Sequence, residues 1–235
     1  VFHYNESLGE KNGVKKAEQE LKNRYESLEN KYDKFLAGNY DYKANTYETN
    51  KINLLSNPTS LYTKQPTVYY GLMYLAKNAK KEVKIHTPYI ICNDYMYNEL
   101  KNIKVPTTIM TNSAENNGNI FGAVDYLNHK KDIINTGVTI KEYEGGISYH
   151  GKSMTIDDDI AIVGSFNMDM RSAYIDTELM LVINSKNINK QLKASMEEYE
   201  KKAATVKNET EYSHIPEGMK MKELSDKKKN IKAWF

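Results

Sequence analysis

His150, Lys152, Ser165 and Asn167 are the residues of this chain whose types and spacing fit a chemical task. They lie in His150-Gly151-Lys152-Ser153-Met154-Thr155-Ile156-Asp157, followed by Gly164-Ser165-Phe166-Asn167. In a strand, residues two apart leave the same face, so His150 pairs with Lys152 and Ser165 with Asn167. An imidazole, an ammonium, a hydroxyl and a carboxamide that converge make a suitable site for a phosphate. The imidazole can attack phosphorus while the other three donate to the non-bridging oxygens. Such donors help most where negative charge builds up in the transition state. Glu178 opens the next apolar stretch. A carboxylate on one imidazole nitrogen would fix the tautomer and leave the other lone pair free.

The chain supplies its own control. His129-Lys130-Lys131 also has Lys two after His, but Thr136 stands where the Asp should be and no Gly-Ser-X-Asn follows. His3, His86 and His214 fail the same tests.

The elements that must position these residues alternate. Apolar residues from Val14 to Phe35 recur in steps of three and four, which predicts a helix over 14–36 that packs one stripe on a core. Residues 37–50 lose the periodicity and read as a linker. Strands are expected at 51–56, 83–86, 107–111 and 138–143, with helices at 68–79, 94–103 and 120–135 between them. Asp94 is the expected cap of the second of these helices, and Gly137 closes the third. This order implies an α/β layer with helices against a largely parallel sheet. Strands then crowd at 147–156, 160–163 and 179–183, with a turn at Asp157-Asp158-Asp159, and 187–201 is a closing helix. The end of the chain is basic and reads as a solvated tail closing on Ala233-Trp234-Phe235.

Composition sets outer bounds. Hydrophobic residues at 40% and charged ones at 27% exclude a disordered or collagen-like chain. A single cysteine, Cys92, excludes an internal disulfide framework and a Cys-based zinc cluster, and reads as a small buried hydrophobe. The net charge of +2 gives no support to nucleic-acid binding. No secretion signal is visible, and no stretch approaches the roughly 18 apolar residues of a membrane-spanning helix. The chain opens on Val1-Phe2-His3-Tyr4-Asn5 without a Met, like the tail of a strand, which suggests a piece of a longer protein.

His150-X-Lys152-X4-Asp157-X6-Gly164-Ser165-X-Asn167 resembles the HKD motif of the phospholipase D superfamily. Asn167-Met-Asp169-Met-Arg171-Ser172 with Thr177-Glu178, and Thr87-Pro88-Tyr89 after a strand, are similar to its cardiolipin-synthase-like branch. The likeness implies a phospholipase D-like fold over 51–203, preceded by a helical connector at 1–50 and followed by the basic tail at 204–235. It implies a catalytic set of His150, Lys152, Asp157 and Glu178, with Lys152, Ser165 and Asn167 on the substrate phosphate. It further implies phosphodiester transfer on phospholipids through a phosphohistidine, with no metal and no cofactor. That chemistry takes two HKD copies and this chain has one. The expected partner is a second motif-bearing half, upstream in the same polypeptide or on a homodimer mate. The expected location is cytoplasmic or peripheral on a membrane. A single-motif homodimeric endonuclease, or an inactive isolated half, is the alternative.

Overall fold

The computed structural model describes residues 12–36, 41–60 and 62–232. The readings of residues 1–5 and 233–235 lie outside them. The chain divides into two compact units, Val1–Thr46 and Tyr47–Phe235. In the first, helix α1 (Asn12–Leu36) follows the predicted periodicity, interrupted at Tyr32 (φ −120°, ψ 23°). The stripe expected to pack on a core is exposed at Leu21, Tyr25 and Leu28.

The second unit runs β1 (Lys51–Ser56), α2 (Thr67–Lys77), β2 (Val83–His86), β3 (Ile90–Ile91), α3 (Asp94–Lys101), β4 (Thr107–Asn112), α4 (Ile120–Asn135) and β5 (Thr139–Tyr143). It continues through β6 (Ser153–Ile156), β7 (Ile160–Gly164), β8 (Met168–Asp169), α5 (Met170–Tyr174), β9 (Leu179–Asn184) and α6 (Lys186–Glu200). Strands β10 (Ala203–Val206) and β11 (Tyr212–His214) and helix α7 (Asp226–Lys232) complete it. Nine strands form one sheet in the order β1-β9-β7-β6-β2-β4-β5-β10-β11, and β3 pairs with β8 beside it.

The sheet is mixed, as expected, but its parallel part is confined to β2-β4-β5. The other pairings in this sheet are antiparallel. The reason is connection length. Helices α3 and α4 supply the crossovers that parallel strands need, whereas β6 and β7 are joined by a tight turn that only antiparallel neighbours can use.

A lateral row of apolar residues, Ile140-Ile109-Ile85-Met154-Ile162-Val182, runs across six strands in register. It is buried in one cluster with residues of α2, α3 and α4. Each such aliphatic side chain stabilises the fold by about 1.5–3 kcal/mol. Helix α6 packs on the opposite face, against β5, β6, β7, β9 and β10.

Four local expectations are corrected. The strand predicted from residue 147 begins only at Ser153. The residues before it form a loop in which Gly146 takes the left-handed φ of +88°. The cap of α3 is Asn93, whose side chain accepts from the Met96 amide at 3.0 Å, and Asp94 is the first helical residue. The segment 204–235 is not a solvated tail in its described part. Strands β10 and β11 extend the sheet, and Lys228 of α7 is buried with its ammonium donating to the carbonyls of Ala114, Glu115 and Asn117 at 2.7, 2.9 and 3.1 Å. A lysine so enclosed by carbonyls needs no water, and that is how a basic segment docks. The boundary drawn at 50/51 falls at 46/47.

Candidate active site

The motif residues other than Asp157 gather at one end of β6, β7 and β9. Lys152 stands just before β6, and its carbonyl accepts from the Gly164 amide at the end of β7 (3.2 Å). The next amide, that of Ser165, donates to the Leu179 carbonyl at the start of β9 (2.9 Å). A Cβ on Gly164 would stand 2.1 Å from that carbonyl oxygen, so only glycine allows this approach. Lys152, Ser165 and Glu178 are thereby brought to one corner of the sheet.

His150 is exposed, on the loop entering β6. The Lys152 ammonium lies 2.7 Å from His150 Nδ1 and donates to the His150 carbonyl at 2.8 Å. With that lysine charged, Nδ1 accepts and a neutral imidazole carries its proton on Nε2. Burial and then the neighbouring Lys152 charge hold the imidazole below its ordinary pKa. Burial also lowers Lys152, against the opposing pull of Glu178 and Asp169. The edge of Tyr89 meets the His150 ring with centroids 6.1 Å apart.

Behind them stands a buried carboxylate. Glu178 accepts from the Ser165 hydroxyl with one oxygen and from Ser172 with the other, the latter at 2.7 Å. The backbone amide and side-chain amide of Asn167 donate to the same Ser172 oxygen at 3.3 and 3.2 Å. Asn167, Tyr89, Asp169 and Arg171 line a cavity of about 650 Å³ that opens beside the motif. Arg171 pairs with Asp176 (Nε to Oδ1 3.1 Å).

One expected catalytic residue stands elsewhere, and another is at the corner but has other partners. Asp157 is at the far end of β6, in the β6–β7 turn with a left-handed φ of +52°. Its carboxylate accepts from the backbone amides of Lys80, Lys81 and Glu82. It anchors the start of β2 and does not reach the histidine. Glu178 was expected on the imidazole, but both its oxygens are held by hydroxyls, and Lys152 occupies Nδ1 instead. Sequence spacing places Glu178 at the right corner and says nothing about which donor reaches it first.

Sequence reasoning also missed a buried cluster. His86 lies between Glu200 (Nε2 to Oε1 3.2 Å) and the Tyr149 hydroxyl (3.3 Å from Nδ1). Burial lowers its pKa, with Glu200 opposing. Glu200 also takes Lys141 at 2.6 Å and is brought down to about 2, its hydrogen bonds to His86 and Lys141 outweighing the upward push of burial. Among the described residues no group of His, Cys, Asp and Glu is arranged to hold a metal ion.

This sheet, with a histidine and lysine entering one strand and a serine leaving its neighbour, is that of the phospholipase D superfamily. Nuc of Salmonella typhimurium, a phospholipase D family member, superposes with a TM-score of 0.53 at 16% identity, over 66% of this chain and 97% of that one. The phosphatidylserine synthase of Haemophilus influenzae gives a TM-score of 0.55 at 17% identity, over 78% of this chain and 45% of that one.

The sequence narrows the class. Residues 72–199, more than half of the chain, match the family model described as cardiolipin synthase, phospholipase D-like domain, and the chain belongs to that family. Cardiolipin synthase 1 of Staphylococcus epidermidis is 30% identical over 159 residues, which is 66% of this chain and 32% of the relative. The chain thus spans about a third of the length of that relative.

Proposed function

We propose that this chain supplies one of the two HKD motifs of an enzyme that transfers phosphatidyl groups between alcohols. The observation that carries this reading is the corner where the segment of His150 and Lys152 is tied by backbone to the one leading into Ser165, with Asn167 lining a cavity, in a chain of the cardiolipin synthase family. One of the paired histidines forms a nitrogen–phosphorus bond as the phosphate ester bond to the departing alcohol breaks. The other histidine gives that alcohol its proton, and a second alcohol or water then reverses the sequence. Lys152, Ser165 and Asn167 hold the non-bridging oxygens. Ser165 donates to Glu178 in this structure, so a phosphate oxygen must compete for that proton or accept only from Lys152 and Asn167.

A second half is supported by an apolar surface beside the motif. Leu54, Leu181 and Val163 are aligned across β1, β9 and β7, with Ile52 and Leu179 on the same face. Leu54 is 61% exposed, Ile52 52% and Leu179 46%, and Val163 is two residues before Ser165. Such a patch is what a motif-to-motif interface would cover. Contact with the bilayer would be peripheral. No described helix is long and apolar enough to cross a membrane, while Met170 and Ile175 at the cavity are exposed.

The test is transfer of phosphatidyl groups on phosphatidylglycerol vesicles, with mass measured in parallel by light scattering. Turnover is expected only when two motifs are paired, as a homodimer or with a separate motif-bearing half. Full turnover by a strict monomer sinks the reading. Cleavage of DNA that falls steeply with salt, without action on vesicles, replaces it with the nuclease.

A further inference from the structure

His150 sits on a loop, so something other than a strand ladder must hold it. That something is a pair of buried asparagines. Asn112, the last residue of β4, is 1% exposed. Its Oδ1 accepts from the Tyr149 amide at 2.7 Å and its Nδ2 donates to the Tyr149 carbonyl at 2.9 Å. One side-chain amide thus pairs with both polar groups of the residue before His150, as a neighbouring strand would. The same Nδ2 reaches the Pro88 carbonyl at 3.2 Å, tying in the segment whose Tyr89 edges the His150 ring.

Asn116 continues the clamp. It donates to the Ile147 carbonyl at 3.2 Å and to Asn112 Oδ1 at 3.1 Å, and its Oδ1 accepts from the Gly146 amide at 3.1 Å. The Tyr149 side chain is fixed too, its hydroxyl on His86 and its ring against Tyr143 and Tyr199 with centroids 5.9 and 4.8 Å away. With backbone and side chain of residue 149 both pinned, the direction of His150 is set by its neighbours rather than by its own contacts.

We propose that Asn112, seconded by Asn116, is a positioning residue for the reaction at His150, holding the imidazole in register with Lys152 and Tyr89. The proposal rests on the reading of His150 as a reacting group. Misplacement of a reacting group by about 1 Å costs about a hundredfold in rate. Asn112→Asp keeps the shape and the acceptor but turns an oxygen toward the carbonyls of Tyr149 and Pro88.

The experiment measures kcat and KM on phosphatidylglycerol vesicles for the paired protein, alongside the His150 imidazole titration by NMR on this chain. In Asn112→Asp, kcat is expected to fall about a hundredfold with KM within about twofold. The His150 pKa should move up toward its ordinary value as the ring leaves Lys152. Asn116→Ala, which keeps Asn112, should shift both in the same direction by less. Unchanged kcat and an unchanged His150 titration in either folded variant overturn the proposal. So does a loss of kcat that only tracks the unfolded fraction. If the parent transfers no phosphatidyl group, the functional reading fails, and the NMR titration still decides the clamp.

Discussion

The Lys152 ammonium and Nδ1 of His150 stand 2.7 Å apart, a cation against the nitrogen that would otherwise take a proton. Lys152→Gln removes that charge, and the His150 pKa should rise, though burial keeps it below the ordinary imidazole value. An NMR titration of the ring checks this. A pKa that stays put or falls would show that the lysine does not govern the imidazole.

His150→Ala should lower phosphodiester transfer by about 10²–10⁴-fold, the range for a lost acid or base. His129→Ala should leave it within about twofold, since that ring bonds to Asp125 of its own helix, outside the motif corner. Assaying both variants in one paired preparation separates the motif from its decoy.

Asp157→Ala should act on stability. It strips three backbone amides of their acceptor at a residue with φ of +52°, and a loss of about 1–3 kcal/mol is expected in denaturant unfolding. Asp157→Asn should lose less, because Asn tolerates that φ and keeps an acceptor. Activity per folded molecule should stay level. Burial raises the carboxyl's pKa, but the three amides outweigh it and hold it below the unfolded value. Its contribution is therefore full above the unfolded pKa and fades as pH falls toward the folded one, a slope the alanine variant should lack.

Lys130, the residue between the His and Lys of the decoy, lies 2.7 Å from Glu142, with side chains 5% and 3% exposed. Glu142 also accepts from Tyr126 at 2.6 Å and Tyr212 at 2.5 Å. Lys130→Met leaves a buried carboxylate without its counter-ion and should cost about 3–5 kcal/mol. Lys130→Met with Glu142→Leu should recover part of that loss. If calorimetry finds the double variant less stable by the sum of the two single losses, the pair is not coupled.

The elements with strong local punctuation were legible from the chain. Helix α4 ends where Gly137 takes φ of +86°, and β1 stops before Asn57-Pro58. The motif corner was legible as well, because its residues stand at fixed intervals where the chain enters β6 and leaves β7. What hid was contact at long range. Asn112 reads as a polar residue in Thr-Asn-Ser, and nothing local says that it will mate with a backbone 37 positions later. Residues 147–152 mimic a strand by alternating apolar and polar types, yet the loop is held by asparagines. Asp157 carries a motif position, and only the fold shows that its partners are the amides before β2. The basic end looked solvated because a lysine's pattern does not reveal a pocket of carbonyls.

Strands β6, β7 and β9 are neighbours in the sheet and all lie between residues 153 and 184, with only β8 and α5 between β7 and β9 along the chain. Both connections are short, so the loop-closure entropy for assembling the Ser165–Glu178 corner is small. The edge strand β1 must instead find β9 across more than a hundred residues, and its side of the sheet carries the slower, non-local share of folding. The reactive corner thus closes over short loops, whereas the edge strand beside it closes over a long one.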